Sequence, residues 1–217
     1  MLSVVIPTLD AGVGLGATLE RMRGADEIVV VDGGSSDGSA ALAEQGGARL
    51  IESPKGRGIQ LAAGAEAARG DWLLFLHADT LPGRGWRRAV EAHCASSANA
   101  ACFRFRLQDQ AWQARAVERA VALRVALLGL PYGDQGLLVS RRLYEEVGGY
   151  RPLLLMEDVD LVRRIGPRRL ALLDEYAATS AARWRRDGWA RRSGRNLACL
   201  GLYAIGVRAE RITRFYG

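Results

Sequence analysis

The sequence predicts an α/β fold, a mostly parallel central sheet flanked by helices, followed by a helical C-terminal segment. Three observations carry this. In the first eighty residues strand-like runs alternate with helix-like ones, an order that requires parallel strands joined by right-handed crossovers. The run Trp72-Leu73-Leu74-Phe75-Leu76 is apolar at every position, as in a strand covered by helices on both faces. Finally, two such strands run into acids, Asp32 and Asp79, where an open α/β sheet binds its ligands.

Taken in order, the sequence predicts a strand over residues 3–7, a helix over 14–23, a strand over 27–31 ending at Asp32, and a helix over 39–45. A short strand over 49–52, a helix over 58–68 and the strand 72–76 complete the βαβαβαβ half. Beyond Asp79, residues 85–94 read as a helix, 101–107 alternate like a strand, and 112–128 repeat apolar residues at helical spacing. The loop Pro131-Tyr132-Gly133-Asp134-Gln135-Gly136 leads into a strand over 137–140, and Met156-Glu157-Asp158-Val159-Asp160-Leu161 opens another helix. From Arg183 onward arginines alternate with Trp184, Trp189, Tyr203 and Phe215.

A chain of 217 residues with 49% hydrophobic content can bury one substantial core. The formal charge is +6, and Lys55 is the single lysine, so arginine carries the rest of the positive charge. Guanidinium groups suit phosphates and anionic lipid surfaces. Cys94, Cys102 and Cys199 form no C-x-x-C pair, which argues against a disulfide framework or zinc knuckle and fits a reducing cytoplasm. The N-terminus runs straight into a strand without a basic leader, so no secretory signal is expected. No apolar run approaches the roughly 20 residues that span a bilayer.

Each chemical feature has a structural alternative. Asp79 at a strand end calls for a cation or a hydroxyl to offset its desolvation. Asp32, followed by Gly33-Gly34-Ser35-Ser36-Asp37-Gly38, either bonds a nucleoside or belongs to a polar turn that caps the next helix. Lys55-Gly56-Arg57-Gly58, just before the helix that carries Gln60, reads as a diphosphate cradle or as a solvated basic turn. Glu157 and Asp158 either do chemistry or cap their helix, and Asp134 between glycines is a site acid or a turn residue. Gly12-Val13-Gly14-Leu15-Gly16-Ala17 satisfies the G-x-G-x-x-A dinucleotide pattern, but residues 7–11 separate it from the strand it should follow directly.

The order of SVVIPT, EIVVVDGGSSDGS, GRGIQLAAGA, WLLFLHADT, YGDQGLLVSRRLYEEVGGY and MEDVDL over about residues 1–185 resembles family 2 glycosyltransferases of the GT-A fold. It is most similar to the bacterial subgroup labelled radical-SAM/selenodomain-associated transferases. The resemblance implies a GT-A domain over residues 1–182, with a nucleotide-binding half (1–80) and an acceptor and donor-sugar half (81–182), before a basic, aromatic helical segment (183–217). It implies that Pro7, Thr8 and Asp32 line a nucleoside pocket and that Asp79 is the last acid of a D-x-D metal motif for Mn²⁺ or Mg²⁺. It also implies that Asp158 is the base and that Gly133, Asp134 and Gln135 face the donor sugar or acceptor. Two departures are His77 in place of the first acid of D-x-D and Gly33 in place of a second acid after Asp32.

The expected function is therefore inverting, metal-assisted transfer of a sugar from a nucleoside diphosphate sugar to an acceptor hydroxyl, on a sugar or a lipid-linked acceptor. Asp158, Glu157 and Asp134 are the catalytic candidates. Pro7, Thr8, Asp32, Lys55, Arg57, Gln60, His77, Asp79, Gly133 and Gln135 are the binding candidates. No nucleic-acid partner is expected. The C-terminal arginines and tryptophans suggest a cytoplasmic protein resting on the inner face of an anionic membrane, or else a helix packed on its own domain. The rival readings are an NAD-dependent oxidoreductase and a non-catalytic nucleotide-sugar-binding protein on the same scaffold.

Overall fold

The strands β1 (Leu2–Thr8), β2 (Glu27–Asp32), β3 (Arg49–Glu52) and β4 (Trp72–Phe75) are joined by the helices α1 (Gly12–Met22), α2 (Ser39–Gln45) and α3 (Arg57–Ala67). All of their pairings are parallel, in the order β3-β2-β1-β4. The computed structural model describes residues 1–216; Gly217 and the side chains of Glu210, Arg214, Phe215 and Tyr216 lie outside the described residues.

The second half extends the same sheet with mixed polarity. It comprises β5 (Thr80–Pro82), α4 (Trp86–Ser96), β6 (Ala100–Leu107), α5 (Trp112–Leu128), a 3-10 turn at Gly133–Gln135, β7 (Leu137–Ser140), α6 (Arg141–Glu146), α7 (Glu157–Ile165) and β8 (Leu170–Thr179). β7 joins β4 antiparallel, and the sheet continues through β6, β8 and β5. The sequence pattern anticipated neither β5, β8 nor α6. β8 reads Leu-Ala-Leu-Leu-Asp-Glu, rich in helix formers, and is a strand because β6 pairs along it, a tertiary preference overriding a local one. β5 is three residues long, and α6 is a short helix whose Ser140 Oγ accepts the Leu143 N–H at 3.3 Å.

Strand alternation divides the core. Val4, Ile6, Val30 and Leu74 face Leu15, Leu19 and Met22 of α1 and Trp86 and Val90 of α4. Val5, Val29, Val31, Leu73 and Phe75 face Leu61 and Ala65 of α3 and Leu161, Val162 and Ile165 of α7. Both faces are covered, so these strands read as unbroken apolar runs. A side chain at Gly64 would run into Val5 and Val31, so its absence lets α3 lie close on β1 and β2.

Two loops at the carboxyl ends of β1 and β2 are tied together. Asp37 Oδ2 accepts the Gly12 N–H at 2.9 Å, Ser39 Oγ accepts the Ala11 N–H at 3.0 Å, and Asp10 Oδ1 accepts the Ser36 N–H at 2.8 Å. Gly12 opens α1 itself, and Gly14 packs against the chain at Asp79, where an added Cβ would lie 3.1 Å from its Cα. Gly12 and Gly14 thus serve helix-to-loop contact while Gly16 faces open space, and residues 9–11 separate α1 from β1 where a dinucleotide site needs a tight turn directly after the strand.

The C-terminal segment folds back as α8 (Ala182–Asp187), α9 (Trp189–Ala204) and α10 (Ala209–Tyr216). Trp184 is buried with Leu107, Ala114 and Ala181, while Cys199, Leu200 and Ile212 pack against Leu155, Met156 and Val159. Several of its arginines are paired: Arg185 with Asp109 at 2.6 Å, and Arg192 and Arg195 with Asp187 at 2.8 and 2.9 Å. Among the described residues no helix is long and apolar enough to cross a membrane.

Candidate active site

Parallel strands present their carboxyl ends on one side of the sheet, and the candidate residues gather there. β4 ends at Phe75, which sends His77 and Asp79 into a cavity of about 100 Å³. Arg57 at the start of α3, Gly133 and Asp134 of the 3-10 turn, and Asp158 of α7 line the same cavity.

Asp158 is placed by a backbone device. Met156 takes a left-handed conformation (φ 66°), which turns the chain sharply into α7 and puts Glu157 and Asp158 in its first turn. Asp158 Oδ2 accepts the Gly133 N–H at 2.7 Å and Oδ1 accepts the Val159 N–H at 2.8 Å. Gly133 lies where carboxylate and imidazole converge: a Cβ there would sit 2.5 Å from His77 Nε2 and 3.4 Å from Asp158 Oδ2. Any larger residue at 133 would displace one of them.

Burial sets the charge states. It pushes the His77 imidazole down to about 4, helped by the Arg57 cation and opposed by Asp79 and Asp158, so the ring is neutral at pH 7. Burial also raises the Asp134 carboxyl to about 6, with Arg124 opposing and Asp158 reinforcing, and Asp134 Oδ1 is buried without a hydrogen-bond partner among the described residues. Tyr132, stacked under the Arg124 guanidinium at 3.5 Å, is held up at about 12, again chiefly by burial.

The other candidates stand apart from this cavity. Glu157 does not line it; fully buried, it accepts a hydrogen bond from Arg57 Nε, and burial raises its carboxyl. It therefore orients Arg57. Gln60 is a clamp: its Nε2 donates to Thr8 O at 2.8 Å and Val31 O at 2.9 Å, locking the ends of β1 and β2. Gln135 is also buried, donating to Phe103 O at 3.0 Å. Lys55 is exposed and does not line the cavity. Thr8 and Asp32 are register partners at the ends of β1 and β2, next to Pro7. The Asp32 carboxylate closes its own turn, accepting from Gly34 N at 3.1 Å, from Ser35 N at 2.9 Å and from Ser35 Oγ.

One wall was not anticipated. Thr179 and Ser180 at the end of β8, with Arg183, Trp184, Arg192 and Asn196 of α8 and α9, line the cavity together with His77 and Asp158. The signal was present in the Ser-Ala-Ala-Arg-Trp run, but without β8 nothing directed it toward the strand ends.

The raised Asp134 carboxyl has a consequence for stability. A folded-state value of about 6 against 3.8 means the folded protein holds this proton more tightly, so the associated stability is complete below 3.8 and is lost as pH rises through 6. Asp134→Asn is expected to raise the melting temperature at pH 8 by several degrees and to leave it nearly unchanged at pH 4. Thermal unfolding of both proteins at the two pH values checks this; an equal shift at both would remove the buried charge as the cause.

The model of the family described as Glycosyl transferase family 2 matches residues 3–147. A PGL/p-HBAD biosynthesis glycosyltransferase of Mycobacterium tuberculosis (strain ATCC 25618 / H37Rv) is 38% identical over 90 residues, 36% of this chain and 35% of its own length. A counterpart in Mycobacterium bovis matches equally. The chain thus spans about a third of the length of these curated relatives. Among solved structures, glucosyl-3-phosphoglycerate synthase from Mycobacterium tuberculosis in complex with Mn²⁺, uridine diphosphate and glucosyl-3-phosphoglycerate superposes with a TM-score of 0.59 at 20% identity, covering 83% of this chain and 70% of that one. The same enzyme with Mg²⁺ and uridine diphosphate gives 0.59 and 20%, covering 83% and 69%. At that identity the likeness establishes the fold, which is GT-A.

Proposed function

The chain belongs to glycosyl transferase family 2, and from that premise we propose that it is an inverting, metal-assisted glycosyltransferase moving a sugar from a nucleoside diphosphate sugar to an acceptor hydroxyl. The observation that carries this reading is the convergence of Asp158, His77, Asp79 and Arg57 on one cavity at the carboxyl ends of the parallel strands. In the division of labour that follows, residues 1–80 hold the nucleotide and residues 81–182 the transferred sugar and acceptor. The segment 183–217 contributes a wall. Closeness to the radical-SAM/selenodomain-associated subgroup rests on the motif order.

The residues present fit a hard divalent cation. Among the described residues no three His, Cys, Asp or Glu side chains form a metal cage, but Mg²⁺ and Mn²⁺ at nucleotides need only one or two carboxylates beside substrate phosphates and water. Asp79 supplies the carboxylate, and the neutral His77 imidazole lines the same space. The cation, when bound, offsets the charge that develops on the leaving diphosphate. Solved relatives of the fold that hold uridine diphosphate with Mn²⁺ or Mg²⁺ support this assignment.

In the reaction, the acceptor oxygen attacks the anomeric carbon from the face opposite the diphosphate. The carbon–oxygen bond to the diphosphate breaks, the acceptor proton passes to Asp158, and the nucleoside diphosphate departs. The Gly133 N–H aims the Asp158 carboxylate, as general-base catalysis requires of a positioned group. Arg57, oriented by Glu157, adds positive charge on the leaving-group side. Exposed Arg191 supports a lipid-linked acceptor met at an anionic cytoplasmic membrane face.

A thermal-shift screen of uridine, guanosine and adenosine diphosphates with and without Mn²⁺ tests the proposal. One of them is expected to raise the melting temperature, and to do so fully only with metal, since a ligand at about 100 times its Kd adds about 2.7 kcal/mol. A shift with NADH and with none of the diphosphates would replace glycosyl transfer by redox chemistry.

A further inference from the structure

An exposed apolar surface lies beside the cavity. Trp112, Leu123, Leu127 and Leu128 of α5 and Leu197 of α9 are between 54% and 74% exposed. Single exposed apolar residues are ordinary, but these line one groove of about 810 Å³ between the two helices. That groove shares Tyr132, Asp134, Trp184 and Asn196 with the reaction cavity, so the two adjoin along these residues.

The junction has its own chemistry. Trp184 and Arg192 are buried, 8% and 5% exposed, yet Trp184 Nε1 and Arg192 Nε have no hydrogen-bond partner among the described residues. Both residues line the reaction cavity, together with Arg183. Arg192 Nη1 is paired with Asp187 at 2.8 Å, so what stays unmatched is its Nε beside Trp184 Nε1; buried donors without acceptors are costly, and together with the Arg183 guanidinium they are matched by an oxyanion.

We propose that the acceptor is an anionic amphiphile. Its hydroxyl meets Asp158, its phosphate or carboxylate group meets Trp184 Nε1, Arg192 and Arg183, and its hydrocarbon chain lies in the α5–α9 groove. A chain in the groove places its head at the junction, an arrangement that a second protein copy covering the helices does not explain. The inference rests on the glycosyltransferase reading and adds the class of acceptor to it.

The test uses the full chain saturated with Mn²⁺ and its preferred nucleoside diphosphate, and measures binding by titration calorimetry below micelle-forming concentrations. The probes are 1-acylglycerol 3-phosphates with six to twelve acyl carbons, glycerol 3-phosphate (head alone) and 1-dodecanoylglycerol (uncharged head). The dodecanoyl phosphate is expected to bind at least about tenfold more tightly than either partial probe, with about fourfold per methylene until the groove is filled. Leu127→Glu and Leu197→Glu change exposed positions and should flatten the chain-length dependence, and Arg183→Gln should narrow the preference for the charged head. Glycerol 3-phosphate binding as tightly as the dodecanoyl phosphate would overturn the chain subsite, and equal binding of the uncharged probe would overturn the anionic one. Chain-length dependence that survives in both leucine variants would place the chain elsewhere and also overturn the proposal. The melting shift caused by the nucleotide is read separately, so loss of nucleotide binding, which defeats the glycosyltransferase reading, is distinguished from loss of acceptor recognition.

Discussion

Asp158→Asn is expected to lower sugar transfer by about 10²-fold or more with donor affinity unchanged, the scale on which a positioned general base contributes. The asparagine oxygen can still accept the Gly133 N–H, so the approach of the 3-10 turn to α7 survives. The amide then sets an N–H group against Val159 N–H in place of Oδ1, a local mismatch of about 1 kcal/mol. A melting temperature slightly below the parent's, normal nucleotide binding and a collapsed turnover rate together identify lost proton transfer. Near-parental turnover would reduce Asp158 to a helix-terminal acid held by Gly133. Asp134, whose raised carboxyl lines the same cavity, would then be the next base to test.

How far the fold was legible follows from where periodicity is unambiguous. The first half shows buried strands separated by turn residues, and α2 and β3 begin and end where the pattern places them. The second half defeats pattern reading where a strand depends on a partner distant in sequence, as β8 does on β6. That omission hid the wall formed by Arg183, Trp184 and Arg192, a segment that the sequence reads either as resting on an anionic membrane or as a helix packed on its own domain. Motif order brought Arg57, His77, Asp79, Gly133, Asp134 and Asp158 to one cavity because His77 and Asp79 follow β4, Arg57 and Asp158 open helices, and Gly133 and Asp134 precede β7, whose start lies beside the end of β4 because the two run antiparallel. It could not separate residues that face the cavity from those that hold the facing ones. Glu157 behind Arg57, Gln60 across the ends of β1 and β2, and Gln135 on Phe103 occupy the same motifs, and only side-chain direction tells them apart.

Asp79→Ala is expected to lower nucleoside diphosphate affinity in the presence of Mn²⁺ by about 10²-fold and to leave the metal-free affinity unchanged. Losing a group that merely supports a metal ligand costs 10- to 100-fold in metal affinity, and losing the carboxylate itself costs at least the upper end of that range. The fold should tolerate the change. Asp79 follows β4 in a loop, its backbone rests against Gly14, and no hydrogen bond or ion pair to its carboxylate is present among the described residues. Its removal also takes one negative charge away from the neighbourhood of Asp134, so stability should stay within about 1 kcal/mol of the parent. Mn²⁺ titrations at fixed nucleotide separate the two contributions to binding. In the parent, affinity rises with metal because carboxylate and diphosphate share the cation, whereas in the variant the curve should be nearly flat. Curves that coincide at every metal concentration would mean that Asp79 holds no cation and that Arg57 alone meets the diphosphate charge.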